Sequence, residues 1–477
     1  MARASCLPMD IIDRLKSLLG EAHVLTGRDC AKWSSDWTGK YTWEPLAVVR
    51  PGSTEEVSRV ARLCYDAGVA MVPVGGNTGL TGATKAQAAL MVSLDRLNKV
   101  RAIKAEARVA IVEAGVILDT IHDAAGAHDL IFPLTFGARG SALIGGCLAT
   151  NAGGSNVLRY GNTRDLCLGL EIVLPDGRIM DLMSELRKDN TGYNLRHLFI
   201  GSEGTLGFIT AAVLKLLPAP RMRATAMMAC QTLDAALPLL NDLQARTGGA
   251  VEAFEYMPRS YIARHVAHTG AREPFDAPYP VNILIEAAST REDDAAQRDG
   301  APALQGLLQD ALFAAMESGA VADAVVAQNE TQRAAMWSRR EMAAELTFGR
   351  LPIVDTDIAV PLESVPAFLS AIRERLGALD RDAEDFIVSH LGDGNLHYTV
   401  YPTRDEAALK DAIVEAIEDV TLALGGSFSA EHGIGLSKLG SMARRKDETA
   451  LDMMRALKTA FDPKGLMNPG KVLPSET

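Results

Sequence analysis

The chain has 477 residues, 48% hydrophobic and 23% charged, a balance ordinary for a globular protein and a length too great for one small core. A net charge of −12 and a pI near 5.3 argue against a nucleic-acid surface or an anionic membrane as partner, so a small acidic substrate must be captured by local cations. The six cysteines, Cys6, Cys30, Cys64, Cys147, Cys167 and Cys230, are scattered with no C-x-x-C spacing, so neither a zinc knuckle nor a disulfide framework is indicated and a reducing compartment fits.

The N-terminal "MARASCLPMDIIDRLKSLLG" reads as a short helix, with Asp10, Asp13 and Lys16 interrupting any signal-peptide core. No run reaches eighteen apolar residues, so no membrane-spanning helix is expected and the cytoplasm is the expected location. "PLAVVRPGSTEEVSRVARLCYDAGVAMVPVGG" predicts strand, helix, strand. Ser53 and Glu56 form a capping box there, and "VAMVPV" is a buried strand ending in glycine. The loop "GGNTGLTGA" (75–83) stands where α/β proteins place phosphates. It lacks the G-K-[ST] of a Walker loop, and it leads into a second strand, "ALMVSL" (89–94), rather than the helix of a nicotinamide turn. What remains is either a nest of backbone N–H groups for a pyrophosphate or a glycine turn with no ligand.

The segment "FPLTFGARGSALIGGCLATNAGGSNVLRYGN" (132–162) is so rich in small residues that something else must fill the space, and a large planar cofactor would do so. "LGLEIVLPDGRIMDL" predicts a hairpin turning at Pro175-Asp176-Gly177, and "KDNTGYNLRHLFIGSEGTLGFIT" (188–210) a further glycine loop ahead of a strand. Beyond about residue 219 the composition shifts to Ala/Leu-rich helices and strands such as "VNILIEAA" (281–288). In "SHLGDGNLHYTV" (389–400), the turn Gly392-Asp393-Gly394-Asn395 folds the chain back so that His390 and His397 converge from its two arms, which suggests a metal in need of a third ligand. "LKDAIVEAIEDVTLALGGSFS" (409–429) predicts an amphipathic helix ending at Gly425-Gly426.

The blocks "GGNTGL", "ATNAGG", "RYGN", "GSEGTLG", "HLGDGNLH", "EHGIG" and "NPGK" occur in an order that resembles the FAD-linked oxidases of the vanillyl-alcohol-oxidase type, with a PCMH-type FAD domain. The likeness is nearest to their D-2-hydroxyacid dehydrogenase branch, which holds D-lactate, D-2-hydroxyglutarate and glycolate dehydrogenase subunits. It implies an α+β fold: a two-subdomain FAD-binding domain over 1–219, a substrate or cap domain with an antiparallel sheet over 220–408, and a C-terminal segment, 409–477, completing the active site. It also implies non-covalent FAD, the pyrophosphate lying in the loop of Val74, Gly75, Gly76, Asn77, Thr78, Gly79 and Leu80. Pro133, Gly140, Ser141, Ile144, Gly145, Gly146, Asn151, Gly153, Gly154 and Tyr160 would line the rest of the flavin, with Gly204, Thr205, Ile209 and Asn468.

"SAEHGIG" (429–435) offers the third ligand, because adjacent residues of an extended segment point apart: Glu431 toward a metal with His390 and His397, His432 toward substrate. The resemblance implies the same assignment. Zinc, manganese and iron all suit this donor set. A 2-hydroxyacid must lose its hydroxyl proton to a base, for which His432 is the candidate, and its C2 hydride to flavin N5. Arg340, in "MWSRRE", matches the family's substrate arginine and is expected to clamp the carboxylate, whereas Arg339 reads as a solvated surface charge.

Relatives acting on 2-hydroxyglutarate carry a lysine, a threonine and an asparagine where this chain has Asp355, Ala344 and Thr399. A distal carboxylate would be repelled by Asp355, so a lactate-like monocarboxylic D-2-hydroxyacid is expected. The alternatives are a D-2-hydroxyglutarate or D-malate dehydrogenase, or a flavin-binding subunit of a glycolate-oxidase-like complex. The electron acceptor is open among quinone, electron-transfer flavoprotein and cytochrome, and a homodimer is compatible with the sequence.

Overall fold

The computed structural model describes residues 7–298 and 300–475, so Cys6 lies outside the described residues. The chain forms two compact units. One runs to Gly153, resumes over Asn162–Pro218 and closes from Glu431 onward; the other comprises Gly154–Gly161 and Ala219–Ala430.

In the first unit the strands Ala47–Val49, Met71–Val74 and Leu90–Ser93 pair in parallel, with Val24–Leu25 antiparallel at the edge. The helix Thr54–Ala67 starts as its sequence dictates: Ser53 accepts the Glu56 N–H, and the Glu56 carboxylate reaches back to the Gly52 N–H at 2.7 Å. It ends at Gly68, whose φ of 69° is the left-handed cap that glycine takes at low cost. An antiparallel sheet follows, with Phe208–Lys215 between Val109–Glu113 and Cys167–Val173. Cys167–Val173 turns at Pro175-Asp176-Gly177 into Ile179–Leu182.

The second unit is built on a seven-stranded antiparallel sheet in the spatial order Asp323–Val326, Met222–Cys230, Val281–Ser289, Val251–Pro258, Glu384–His390, Asn395–Tyr401, Val354–Ala359. Strand side chains alternate, so the sheet has two faces of different character. One, through Phe254, Ile285, Ile387, Leu396 and Tyr398, buries a large apolar core with the helices Ala236–Thr247, Ala303–Glu317, Val365–Leu379 and Ala407–Ala423. The other begins apolar at Met257, Leu284, Phe386 and Val388 but also carries Glu255, Glu286, Asp357 and His390, all under 9% exposed. That second face positions the candidate site.

The five described cysteines are buried and unpaired. Burial pushes the thiols of Cys64, Cys147 and Cys167 up to about 12 and that of Cys230 to about 11. No helix among the described residues is long and apolar enough to cross a membrane.

Candidate active site

A cavity in the first unit is lined by Val74, Gly75, Gly145, Gly146, Gly204, Ile209 and Asn468, all expected from the sequence, and by Ala83, Thr84, Ser202 and Glu203, which were not. Close approach explains several glycines. A Cβ on Gly76 would stand 2.2 Å from the Ser141 carbonyl oxygen, and one on Gly145 would stand 2.7 Å from Ala114 Cβ. A Cβ on Gly146, by contrast, would meet nothing within 4 Å, because this glycine of the helix Ile144–Thr150 opens on the cavity. Asn468 is 2% exposed and spends its amide N–H groups on the Ala83 and Glu203 carbonyls, which leaves its Oδ1 buried without a partner. Space that only glycine leaves open, next to an unanswered buried acceptor, fits a bound cofactor with hydrogen-bonding edges.

Other expected flavin residues hold the frame together. Asn77, at φ 55°, bonds the Ser35 carbonyl and accepts from the Thr84 hydroxyl. Asn151, at φ 52°, caps its helix and accepts the Arg164 N–H. Thr205 hydrogen-bonds the Ser202 carbonyl. Gly154 and Tyr160 lie in the stretch that folds with the second unit, where the Tyr160 hydroxyl donates to Glu252 at 2.9 Å.

In the second unit the strands Glu384–His390 and Asn395–Tyr401 form the hairpin that the Gly-Asp-Gly-Asn stretch predicts, with Gly394 at φ 80° in the turn. A Cβ there would meet the Val360 carbonyl oxygen at 2.2 Å, so the turn admits only glycine. Register does the rest. His397 stands opposite Val388 on one side and Asp357 on the other, while His390 stands opposite Glu255. The two imidazoles share a face with ring centroids 5.4 Å apart, and the Asp357 carboxylate lies 3.9 Å from His397 Nδ1. Ala430 donates its N–H to the Asp357 carbonyl, and Glu431 and His432 follow it directly along the chain as the opening residues of the segment that folds with the first unit.

Glu255 is 1% exposed and accepts from His390 Nδ1 at 2.9 Å and from Arg340 Nε at 2.5 Å. Burial alone would raise its carboxyl, but His390 and Arg340 more than offset that and hold it below the ordinary carboxylate range. Arg340 is brought there by the helix Glu330–Glu341, whose Arg333, Trp337 and Arg340 recur at helical spacing on one stripe. Arg333 grips Glu286 with two bonds of 2.7 and 2.8 Å, and Trp337 adds a third at 2.8 Å. The helix thus docks through cations onto two buried carboxylates. Arg340 Nη2 lies 3.2 Å from His390 Nε2, so the guanidinium is fixed beside the histidine pair. Arg339 corrects an expectation: it is half-buried rather than solvated, bonded to the Ala335 and Arg272 carbonyls, because its neighbour's stripe draws this side of the helix inward. One step along the sheet face, Asp355 stands opposite Thr399 and accepts its hydroxyl at 2.8 Å.

The model for the C-terminal domain of FAD-linked oxidases matches residues 219–472, and an FAD-binding-domain model matches 45–183. The chain belongs to the FAD-linked oxidases, in their D-2-hydroxyacid dehydrogenase branch. It is 38% identical to a D-2-hydroxyglutarate dehydrogenase of Xanthomonas citri pv. viticola over 93% of this chain and 92% of that one. It is 34% identical to the enzyme of the same name from Stutzerimonas stutzeri, over 97% and 98%. Its fold matches p-cresol methylhydroxylase with a TM-score of 0.75 at 13% identity, covering 100% of this chain and 99% of that one. Alkyldihydroxyacetonephosphate synthase gives 0.73 at 17% identity, covering 97% and 84%. As a member of this branch the protein is an FAD-dependent hydroxyacid dehydrogenase, and the glycine-lined cavity of the first unit fits the flavin.

Proposed function

We propose that this dehydrogenase oxidises a D-2-hydroxyacid with a small uncharged side chain, lactate-like, to the 2-oxoacid, with a divalent cation held by His390, His397 and Glu431. The two histidines of one hairpin have ring centroids 5.4 Å apart, and with the Glu431 carboxylate they would make a His-His-acid donor set suited to zinc, manganese or iron. Such a cation would neutralise charge on the substrate oxygens, and the bound flavin supplies the hydride acceptor. Arg340, held by Glu255, pairs with the substrate carboxylate through its remaining N–H groups. His432 takes the hydroxyl proton on an imidazole nitrogen. No His or Cys is among the described residues lining the cavity, which supports non-covalent FAD. An external acceptor reoxidises the flavin. Buried, unpaired cysteines support a reducing compartment such as the cytoplasm.

The observation that carries the substrate choice is the Asp355–Thr399 pair, two residues along its strands from the Asp357–His397 pair on the same face. The nearby arginines are engaged: Arg350 with Glu384, Arg339 with carbonyls, and Arg264 with the Tyr401 hydroxyl and the faces of Phe386 and Tyr401. The names of the relatives favour a second reading, D-2-hydroxyglutarate, in which one of these arginines turns to the distal carboxylate. Steady-state kinetics on D-lactate, D-malate and D-2-hydroxyglutarate separate the two. D-lactate is expected to have the highest kcat/KM, with Asp355→Lys narrowing the gap by about tenfold or more. A wild-type preference for the dicarboxylates would overturn the monocarboxylate reading.

A further inference from the structure

Glu203 stands in the turn that lines the flavin cavity, yet nothing in its sequence context marks it apart from the glycines beside it. It is 7% exposed and adopts a φ of 51°, a left-handed conformation that is costly for a residue with a side chain. Its backbone is tied on both sides, the N–H to the Ala149 carbonyl at 2.8 Å and the carbonyl to the Asn468 amide at 2.8 Å. The strain therefore aims the carboxylate. Oε1 accepts the Ile434 N–H at 2.7 Å and Oε2 accepts the Gly435 N–H at 2.8 Å. A Cβ on Gly433 would come within 2.7 Å of Oε1, so only glycine lets the chain pass this close. The next two N–H groups, of Leu436 and Ser437, both go to the Thr81 carbonyl, at the end of the first glycine loop. Burial raises the Glu203 carboxyl, and the two N–H bonds pull against that rise.

We propose that Glu203 is a positioning residue: by clamping the Ile434–Gly435 backbone to the flavin-lining turn, it fixes where His432 stands. The inference rests on the reading of His432 as the base. The clamp begins two residues after His432, so the imidazole is referenced to the same turn that lines the flavin cavity. A misplacement of about 1 Å in a proton-accepting group can cost on the order of a hundredfold in rate. Glu203→Gln keeps the shape but sets an amide N–H against a backbone N–H, and Glu203→Asp keeps the charge but falls one carbon short.

The test is anaerobic flavin reduction by stopped flow on the FAD-loaded enzyme, with D-lactate or D-2-hydroxyglutarate, whichever reduces the wild type faster. Glu203→Gln and Glu203→Asp are expected to keep their FAD and a KM within about threefold, while the limiting rate falls about 10- to 100-fold. The loss should vanish against a His432→Ala background, because a residue acting through the imidazole adds nothing once the imidazole is gone. Undiminished rates in both variants, or losses that simply multiply with that of His432→Ala, would overturn the inference while leaving the base in place. A His432→Ala enzyme that reduces its flavin normally would overturn the base, and this inference with it. FAD lost from both Glu203 variants would make the residue a holder of the cofactor turn instead.

Discussion

Replacing Glu255 by alanine removes the one carboxylate that answers both Arg340 Nε, 2.5 Å away, and His390 Nδ1, 2.9 Å away. Arg340 is 7% exposed and Glu255 1%, so water cannot take the lost partner's place without the sheet face opening. With charge centres about 4 Å apart, an effective dielectric near 20 gives an attraction of roughly 4 kcal/mol, and breaking such a buried pair from one side costs about 3–5 kcal/mol because the other charge is stranded. Urea unfolding of the FAD-loaded enzyme, followed by tryptophan fluorescence, reads this directly. With a slope of about 3 kcal/mol/M, the midpoint should fall by roughly 1–1.7 M. A joint Glu255→Ala, Arg340→Met variant leaves no stranded charge and should recover more than half of that loss. A single variant within about 1 kcal/mol of wild type, or a double variant no better than the single, would refute the account of Glu255 as the anchor of this face.

Gly146→Ala should leave the apoprotein as stable as before, or more so by up to about 1 kcal/mol, because alanine favours the helix and its Cβ meets nothing. It should nonetheless weaken FAD binding, measured by flavin fluorescence titration, whereas Gly76→Ala should damage fold and flavin together. His265 is 2% exposed with both ring nitrogens unpartnered, and burial, then Arg339 and His268, keep it neutral, its pKa below the usual histidine value. The unfolded chain therefore binds the extra proton as pH falls through about 6.5, so this residue erodes stability on acidification below that value. His265→Leu should flatten that acid limb and raise stability at pH 5 in thermal unfolding. Exhaustive chelation should abolish turnover while the absorbance near 450 nm, roughly the flavin band, stays, and His390→Ala should do the same; turnover surviving in fully metal-free enzyme would remove the cation from the proposal.

The parts of this chain legible in its sequence are those where one residue type has few uses. Gly392 to Asn395 between two alternating strands can hardly be anything but a hairpin, so the convergence of His390 and His397 followed from local rules. The same holds for the capped helix at Ser53 and the turn at Asp176-Gly177. Glu255 was invisible for the opposite reason. It sits in "VEAFEYMP", where an isolated glutamate reads as the solvent side of a strand, and its partners lie 85 and 135 residues away. Its one signal was that, Glu252 apart, the rest of the strand is apolar on both faces. Arg339 was misjudged because a cation next to another gives no hint of which way the helix turns. The stripe Arg333, Trp337, Arg340 held that information and becomes readable only when the carboxylates beneath it are known.

The buried cysteines have a bearing on how such an enzyme ages. A reduced flavin that meets oxygen makes peroxide, and peroxide attacks thiolates rather than thiols. With Cys64, Cys147 and Cys167 held near 12, on the order of one thiol in 10⁵ is ionised at neutral pH, and none of them faces solvent. The fold therefore keeps these three thiols out of reach of the by-product of its own cofactor, and the same thiols become markers that react with a maleimide only once the surrounding unit has opened.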